Sequence, residues 1–147
     1  MILTAEHFDG FTEHLVTWRL EASGGSAIID ASWLLHGRRV ERTFEMDFKE
    51  TRIETCADAL SRLKPIYDGR VDDFPTYRLS VTTEDRVFET KFHVGINWPE
   101  EDKVALYIFM SIWRPIYSDV ERLLAIPGRS KKRKYQKMHA IFGSRVF

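Results

Sequence analysis

The chain has 147 residues, of which 44% are hydrophobic and 13% aromatic, and its 22 basic and 22 acidic side chains give a formal net charge of zero. This length and composition predict one globular domain and exclude intrinsically disordered and low-complexity proteins. Because Cys56 is the single cysteine, the sequence also excludes an internal disulfide and a cysteine-rich zinc cluster.

The first third of the chain alternates apolar and polar residues, which is the period of a half-buried strand. We predict a helical or coiled lead-in to about residue 11, followed by strands over residues 13–22, 27–36 and 40–48. Glycines between these segments favour tight turns, so the three strands indicate an antiparallel meander. A helical stripe is the competing interpretation of the beginning of the chain. It consists of Phe8, Phe11, Leu15 and Trp18.

The apolar period then becomes that of a helix, which we predict over residues 52–64. Its apolar stripe consists of Ile53, Cys56, Ala57, Leu60 and Leu63. Thr51 and Glu54 have the spacing of a capping box, in which each side chain accepts a hydrogen bond from a free backbone N–H group of the other residue. Pro65 is predicted to end the helix because it lacks an N–H group.

The second half of the chain repeats this order. Alternating segments over residues 77–81 and 86–96 predict two strands, and the β-forming residues of 103–113 predict a third. Ser118 begins a second capping-box spacing, which predicts a short helix over 118–126. The expected fold is therefore α+β, with a single antiparallel sheet of five to six strands in βββα-βββα order and the helices packed on one face.

The charges are divided unevenly along the chain. Residues 1–128 hold all 22 acidic and 15 of the basic side chains, a formal charge of −7, whereas residues 129–147 carry +7. We therefore divide the chain into an acidic α+β domain, 1–128, and a basic C-terminal segment, 129–147. Within that segment, Tyr135, Met138, Ile141 and Phe142 have the spacing of an amphipathic helix docked on the domain.

The sequence contains no glycine-rich phosphate loop, no serine nucleophile elbow and no zinc-protease motif. We therefore predict no catalytic residues, no metal and no cofactor, and we expect Cys56 to be a buried, inert thiol. An acid/base site that combines His93 with Glu41, Glu45 or Asp47 is the competing chemical interpretation. Acidic residues come too early for a signal peptide and no apolar run reaches the about 20 residues of a membrane span, so we expect a cytoplasmic protein.

The acidic domain and the absence of catalytic motifs favour a non-catalytic protein-binding module of the inhibitor, immunity or chaperone type. The order of the elements resembles that of small bacterial antitoxin-like immunity proteins and secretion chaperones, a likeness in layout alone. The candidate partner-binding residues are Glu41, Glu45, Asp47 and Trp98.

The alternative is a nucleic-acid-binding protein, or an enzyme acting on nucleic acid, whose basic C-terminal segment contacts phosphates. Its candidate residues are Arg129, Lys131, Lys132, Arg133, Lys134 and Lys137. A solvated segment, or one that balances the acidic domain, explains the same charges.

The nucleic-acid alternative predicts that the chain shifts unlabelled DNA or RNA in a gel at about 50 mM salt, where counterion release is most favourable. Changing residues 131–134 to alanine should then weaken binding to all sequences alike. It should also flatten the salt dependence on duplex DNA, by about 0.9 for each phosphate that the variant no longer neutralises. No shift of either nucleic acid at that salt concentration would remove this alternative.

Overall fold

The computed structural model of the protein describes residues 1–10, 13–69, 74–96 and 98–125. Within these ranges the chain forms one sheet and two α-helices, and a short 3-10 turn at Glu100–Asp102 precedes the second helix. The elements are β1 Ile2–Phe8, β2 Thr17–Ser23, β3 Ser26–Leu35, β4 Arg38–Asp47, α1 Glu50–Leu60, β5 Ile66–Asp68, β6 Thr76–Thr82, β7 Val87–His93 and α2 Lys103–Leu124.

The seven strands lie in the order β4-β3-β2-β1-β6-β7-β5. All neighbours are antiparallel except β5, which pairs in parallel with β7. The predicted α+β class is confirmed, but the predicted sheet of five to six antiparallel strands is wrong, because the sheet has seven strands and is mixed. The prediction lacked two strands that the structure contains, β1 and the three-residue β5. It also contained one strand, over residues 103–113, that is helical in the structure.

One face of the sheet packs against the helices and the other does not. Along β2 and β3, alternate side chains from Trp18 to Ala22 and from Ala27 to Trp33 are buried, as the sequence period predicts. The turn between these strands consists of Gly24 and Gly25, both at positive φ, where a side chain would be strained.

The beginning of the chain is a strand and not a helical or coiled lead-in. In β1, the side chains of Leu3, Ala5 and His7 point into the packed face, and all three are at most 1% exposed. The alternation is hard to recognise in the sequence because the buried positions include a small residue and a histidine. The structure also rejects the competing helical interpretation of Phe8 and Trp18, which lie on opposite faces of the sheet.

Residues 103–113, predicted to be a strand, belong to the 22-residue helix α2. The separate helix predicted over 118–126 is the last part of the same helix, which ends at Leu124. Apolar residues recur every three or four positions along it, and this stripe faces the sheet. Its buried members include Leu106, Phe109, Met110, Trp113, Ile116, Val120 and Leu124. Ser118, predicted to begin a capping box, lies inside the helix. Pro115 costs a helix interior about 3 kcal/mol, which burial of the stripe offsets at about 1.5–3 kcal/mol per large apolar side chain.

Helix α1 buries Ile53, Cys56, Ala59 and Leu60, in agreement with most of the predicted stripe. Its bounds differ from the prediction, because the helix begins at Glu50 and ends at Leu60, before Pro65. The predicted capping box is wrong, since Thr51 lies inside the helix and the N-cap, Lys49, makes no side-chain cap hydrogen bond.

Aromatic rings fill the space between the sheet and α2. The indole ring of Trp113 on α2 stacks on Tyr77 of β6 at a centroid distance of 4.6 Å and on Trp18 of β2 at 5.5 Å. Phe109, one turn earlier, stacks on Phe92 of β7 at 5.1 Å. The helix is therefore fixed to three strands of the sheet by a continuous layer of rings.

Two substitutions in α1 test the two predictions for this helix, the buried apolar stripe and the Thr51 cap. Leu60→Ala should lower the free energy of unfolding by about 2–5 kcal/mol, because Leu60 is buried in the core. Thr51→Ala should change it by less than about 0.5 kcal/mol, since Thr51 is an exposed helix residue. Denaturant unfolding of both variants measures the difference. A decrease of about 1 kcal/mol in the free energy of unfolding of Thr51→Ala would support Thr51 as the helix cap. An unchanged stability of Leu60→Ala would contradict the burial of Leu60 in the core.

Candidate functional site

The face of the sheet that points away from the helices carries mostly polar and charged side chains, and we call it the open face. Its residues are the alternate positions of each strand that lie opposite the buried ones. The central members are Glu6, Phe8, Thr17, Arg19, Asp30, Ser32, Glu41, Thr43, Thr76, Arg78, Glu89 and Lys91. Together they line a broad, open depression of about 940 Å³.

A chain of ion pairs crosses the middle of the open face. Glu6 on β1 lies directly between Arg19 on β2 and Arg78 on β6 in the strand register. Arg19 donates to one oxygen of Glu6 at 3.0 Å, and Arg78 donates to the other at 2.9 Å. Arg78 also donates to Glu89 on β7 at 2.8 Å. The network therefore connects four neighbouring strands.

The central arginine of this network is held strongly in its charged form. Hydrogen bonds to Glu89 and to Glu6 raise the pKa of the Arg78 guanidinium above its already high usual value. Its side chain remains 39% exposed, so solvent screens the interaction and the network contributes little to stability. Its main effect is to fix the positions of charges on an accessible surface.

Phe8 is the last residue of β1, the middle strand of the sheet order, and its side chain on the open face is 57% exposed. Its strand neighbours on the open face are Thr17 on one side and Thr76 on the other. Reasoning from sequence missed this residue as a site, because it predicted a helical or coiled lead-in to about residue 11 and so placed Phe8 on no strand. The available signal was the alternation of Leu3, Ala5 and His7, which places Phe8 on the opposite face.

The predicted partner-binding carboxylates lie together, but Trp98 does not join them. Glu41, Glu45 and Asp47 are exposed on the open face of β4, at one end of the sheet order. Trp98 is half-buried beyond β7, where its ring stacks on Phe92 at 4.9 Å and its Nε1 donates to the carbonyl of Gly95. Its ring therefore packs on the core, far from the three carboxylates.

The competing acid/base interpretation fails on distance. His93 on β7 and Glu41 on β4 lie in the same row across the open face, but five strand spacings separate them. At about 4.8 Å per spacing this is about 24 Å, which is much too far for a shared proton transfer. The Nδ1 atom of His93 instead hydrogen-bonds with the hydroxyl group of Thr76 at 3.0 Å.

A histidine and an aspartate do meet inside the protein. Nε2 of His7 lies 2.7 Å from Oδ1 of Asp9, and the two residues are 1% and 5% exposed. The imidazole ring stacks on Trp18 and on Tyr77, each at a centroid distance of 5.5 Å. The pair is thus part of the aromatic layer, on the face opposite the open face, and a substrate has no direct access to it.

The described part of the chain gives little support to a metal site, a membrane span or a reactive thiol. No group of three or more histidine, cysteine or carboxylate side chains there could hold a metal ion. Neither of the helices described combines the length and the apolar character that crossing a lipid bilayer requires. The Cys56 thiol is buried in α1, and this burial raises its pKa from 9.0 to about 12.

The basic residues of the nucleic-acid alternative lie outside the described residues, as do the docked helix predicted within 129–147 and the boundary at residue 128. The six candidates from Arg129 to Lys137 therefore remain a prediction from sequence.

No protein-family model matches the chain, and no curated protein matches it either. A function must therefore be inferred from the geometry of the open face.

Because Cys56 is the single cysteine, a thiol reagent reports on one site. At pH 8 the native protein should react far more slowly than the protein unfolded in urea, since the thiolate is the reactive form and its formation is suppressed by burial. The measurement is the rate of labelling by a chromogenic disulfide reagent. Equal rates in the native and unfolded states would show that the thiol is accessible and would contradict the placement of α1.

Proposed function

We propose that the protein is a non-catalytic protein-binding module that engages its partner through the open face. The observation that carries this proposal is the exposed ring of Phe8 on the middle strand of the sheet, beside the polar and charged side chains of the open face. An exposed aromatic side chain among polar and charged groups is typical of protein–protein interfaces, where a few residues, often aromatic, supply most of the binding energy.

The size of the open face suits such an interface. From β4 to β7 the sheet is about 24 Å wide, and a strand of seven residues is about 23 Å long. These dimensions give a surface of the same order as the about 800 Å² that each partner contributes to a standard protein–protein interface.

The charges of the face favour a basic partner. Its β2–β4 half carries more carboxylates than guanidinium groups. The carboxylates are Glu21, Asp30, Glu41, Glu45 and Asp47, and the guanidinium groups are those of Arg19 and Arg39. A positively charged partner would be attracted to this half, and the attraction would increase the association rate and fix the orientation of the complex. The proposal therefore keeps Glu41, Glu45 and Asp47 as partner contacts.

The ion pairs support binding rather than catalysis. Both carboxylate oxygens of Glu6 already accept hydrogen bonds from arginines, so the carboxylate is engaged within the protein rather than turned toward a substrate. Fixed charges that are already paired with each other do, however, present a defined pattern to a second surface.

The experiment first identifies the partner and then measures its affinity. A photoreactive phenylalanine analogue replaces Phe8 in the living host, and the crosslinked protein is identified by mass spectrometry. The purified partner is then titrated with the unmodified chain and with Phe8→Ala. We expect Phe8→Ala to weaken binding at least about tenfold, the loss typical of an aromatic interface anchor, while the melting temperature stays unchanged because the ring is exposed.

The control is Tyr107→Ala. Tyr107 is 59% exposed on α2, so it matches Phe8 in exposure but lies on the other side of the molecule. It should leave the affinity within about twofold, well under the tenfold loss that corresponds to about 1.4 kcal/mol. Equal affinities for the Phe8→Ala and unmodified chains, or a loss confined to the Tyr107 variant, would contradict the proposal.

A further inference from the structure

Strand β4 is the long edge of the sheet. It pairs with β3 in an unbroken register over all ten of its residues, from Arg38 to Asp47, with neither a bulge nor a proline. The other edge strand, β5, has only three residues. Natural proteins usually protect an edge by shortening, bending, covering or charging it, because unpaired backbone groups attract a further strand, and of these devices β4, within the residues described, has only the charges. In the described part of the chain, no strand pairs with the outer side of β4.

The hydrogen bonding of β3 and β4 shows which backbone groups point outward. Directly after β4, the N–H group of Phe48 donates to the carbonyl of Gly25 at 2.9 Å, which continues the register of the strand pair. Since the direction alternates along an antiparallel strand, even-numbered residues bond to β3 and odd-numbered residues present their N–H and C=O groups outward. The guanidinium of Arg42, which donates to the outward carbonyl of Glu41 at 2.8 Å, agrees with this assignment.

The side chains of β4 form two rows of different character. The open-face row consists of Arg39, Glu41, Thr43, Glu45 and Asp47, and the other row of Arg38, Val40, Arg42, Phe44 and Met46. The first row is predominantly acidic, and the second contains three partly buried apolar side chains that pack against the core. A strand paired with β4 would meet carboxylates on one face and apolar groups on the other.

A second copy of this chain matches the charges of this edge less well than a basic strand does. Two symmetric antiparallel registers pair the most residues of β4 with β4 of another copy. The register centred on Arg42 places this arginine opposite itself and Arg39 opposite Glu45 twice. The register centred on Thr43 places Glu41 opposite Glu45 twice and Arg39 opposite Asp47 twice. Like charges in directly opposite positions destabilise a strand pair. Each register therefore combines repulsive with attractive pairs, whereas a strand with basic residues opposite Glu41 and Glu45 meets opposite charges at both positions.

We infer that β4 accepts an antiparallel β-strand from a protein partner, with lysine or arginine opposite Glu41 and Glu45 and apolar residues opposite Val40 and Phe44. Backbone hydrogen bonds to the outward groups would supply affinity, and the two side-chain rows would supply specificity. This inference rests on the proposed protein-binding function and specifies the form of its ligand.

The probe is a synthetic ten-residue peptide that carries lysine at the positions opposite Glu41 and Glu45 and valine opposite Val40 and Phe44. It is titrated into the full-length, ¹⁵N-labelled chain and followed by NMR. We expect the largest changes at the outward amides of Glu41, Thr43 and Glu45, with smaller changes at Arg42 and Phe44. A matched peptide with glutamate in place of lysine should bind at least about tenfold more weakly, because like charges would then face each other across the strand pair.

Two variants separate the backbone donor from the charge. Glu45→Pro removes the carboxylate and an outward N–H group, a change that an edge strand tolerates because its bonds to β3 are kept. Glu45→Ala removes only the carboxylate. The proline variant should bind the lysine peptide about tenfold more weakly than the alanine variant, as expected for the absence of one backbone hydrogen bond and the accompanying steric clash. Circular dichroism and the melting temperature check that both variants are folded.

Three outcomes would overturn the inference: no binding at millimolar peptide, changes that do not alternate along β4, or equal affinities for the proline and alanine variants. Failure of the proposed function is distinguishable from these, because it would appear as an unchanged affinity of the Phe8→Ala chain for the crosslinked partner. If Phe8 matters and β4 does not, the partner binds the open face without adding a strand.

Discussion

The position of Trp113 determines the arrangement of the rest of the molecule. Its indole ring lies between α2 and the middle of the sheet, in stacking contact with Trp18 and Tyr77. It is fully buried, so the helix cannot move away from the sheet without exposing a large apolar surface. Because α2 and α1 both pack on this side, the aromatic layer defines a covered face and leaves the opposite face of the sheet to the polar residues.

This division explains why the candidate site lies on strands and not in a loop. Strand side chains alternate between the two faces, so each residue that enters the aromatic layer places its neighbours on the open face. His7 enters the layer, and Glu6 and Phe8 therefore point outward. The site is as rigid as the sheet, because the strand register alone places Glu6 between Arg19 and Arg78.

Sequence predicted those elements whose period was regular and missed those whose period was ambiguous. The strands over β2, β3, β6 and β7 followed from alternation, and α1 from its apolar stripe. Helix α2 was misread because its β-branched residues outweighed the three- and four-residue spacing from Leu106 to Val120. The acidic cluster of β4 was predicted, but the site around Phe8 depends on neighbours from β2 and β6 that only the strand order brings together.

The central claim is that the open face is accessible in the free protein while the aromatic layer is closed. Hydroxyl-radical footprinting of the full-length chain, read by mass spectrometry, tests it directly because aromatic side chains are oxidised in proportion to their exposure. We predict rapid oxidation of Phe8 and strong protection of Trp18 and Trp113, which are at most 1% exposed. Protection of Phe8 in the free chain, or oxidation of Trp113 at the rate of the unfolded protein, would contradict the account.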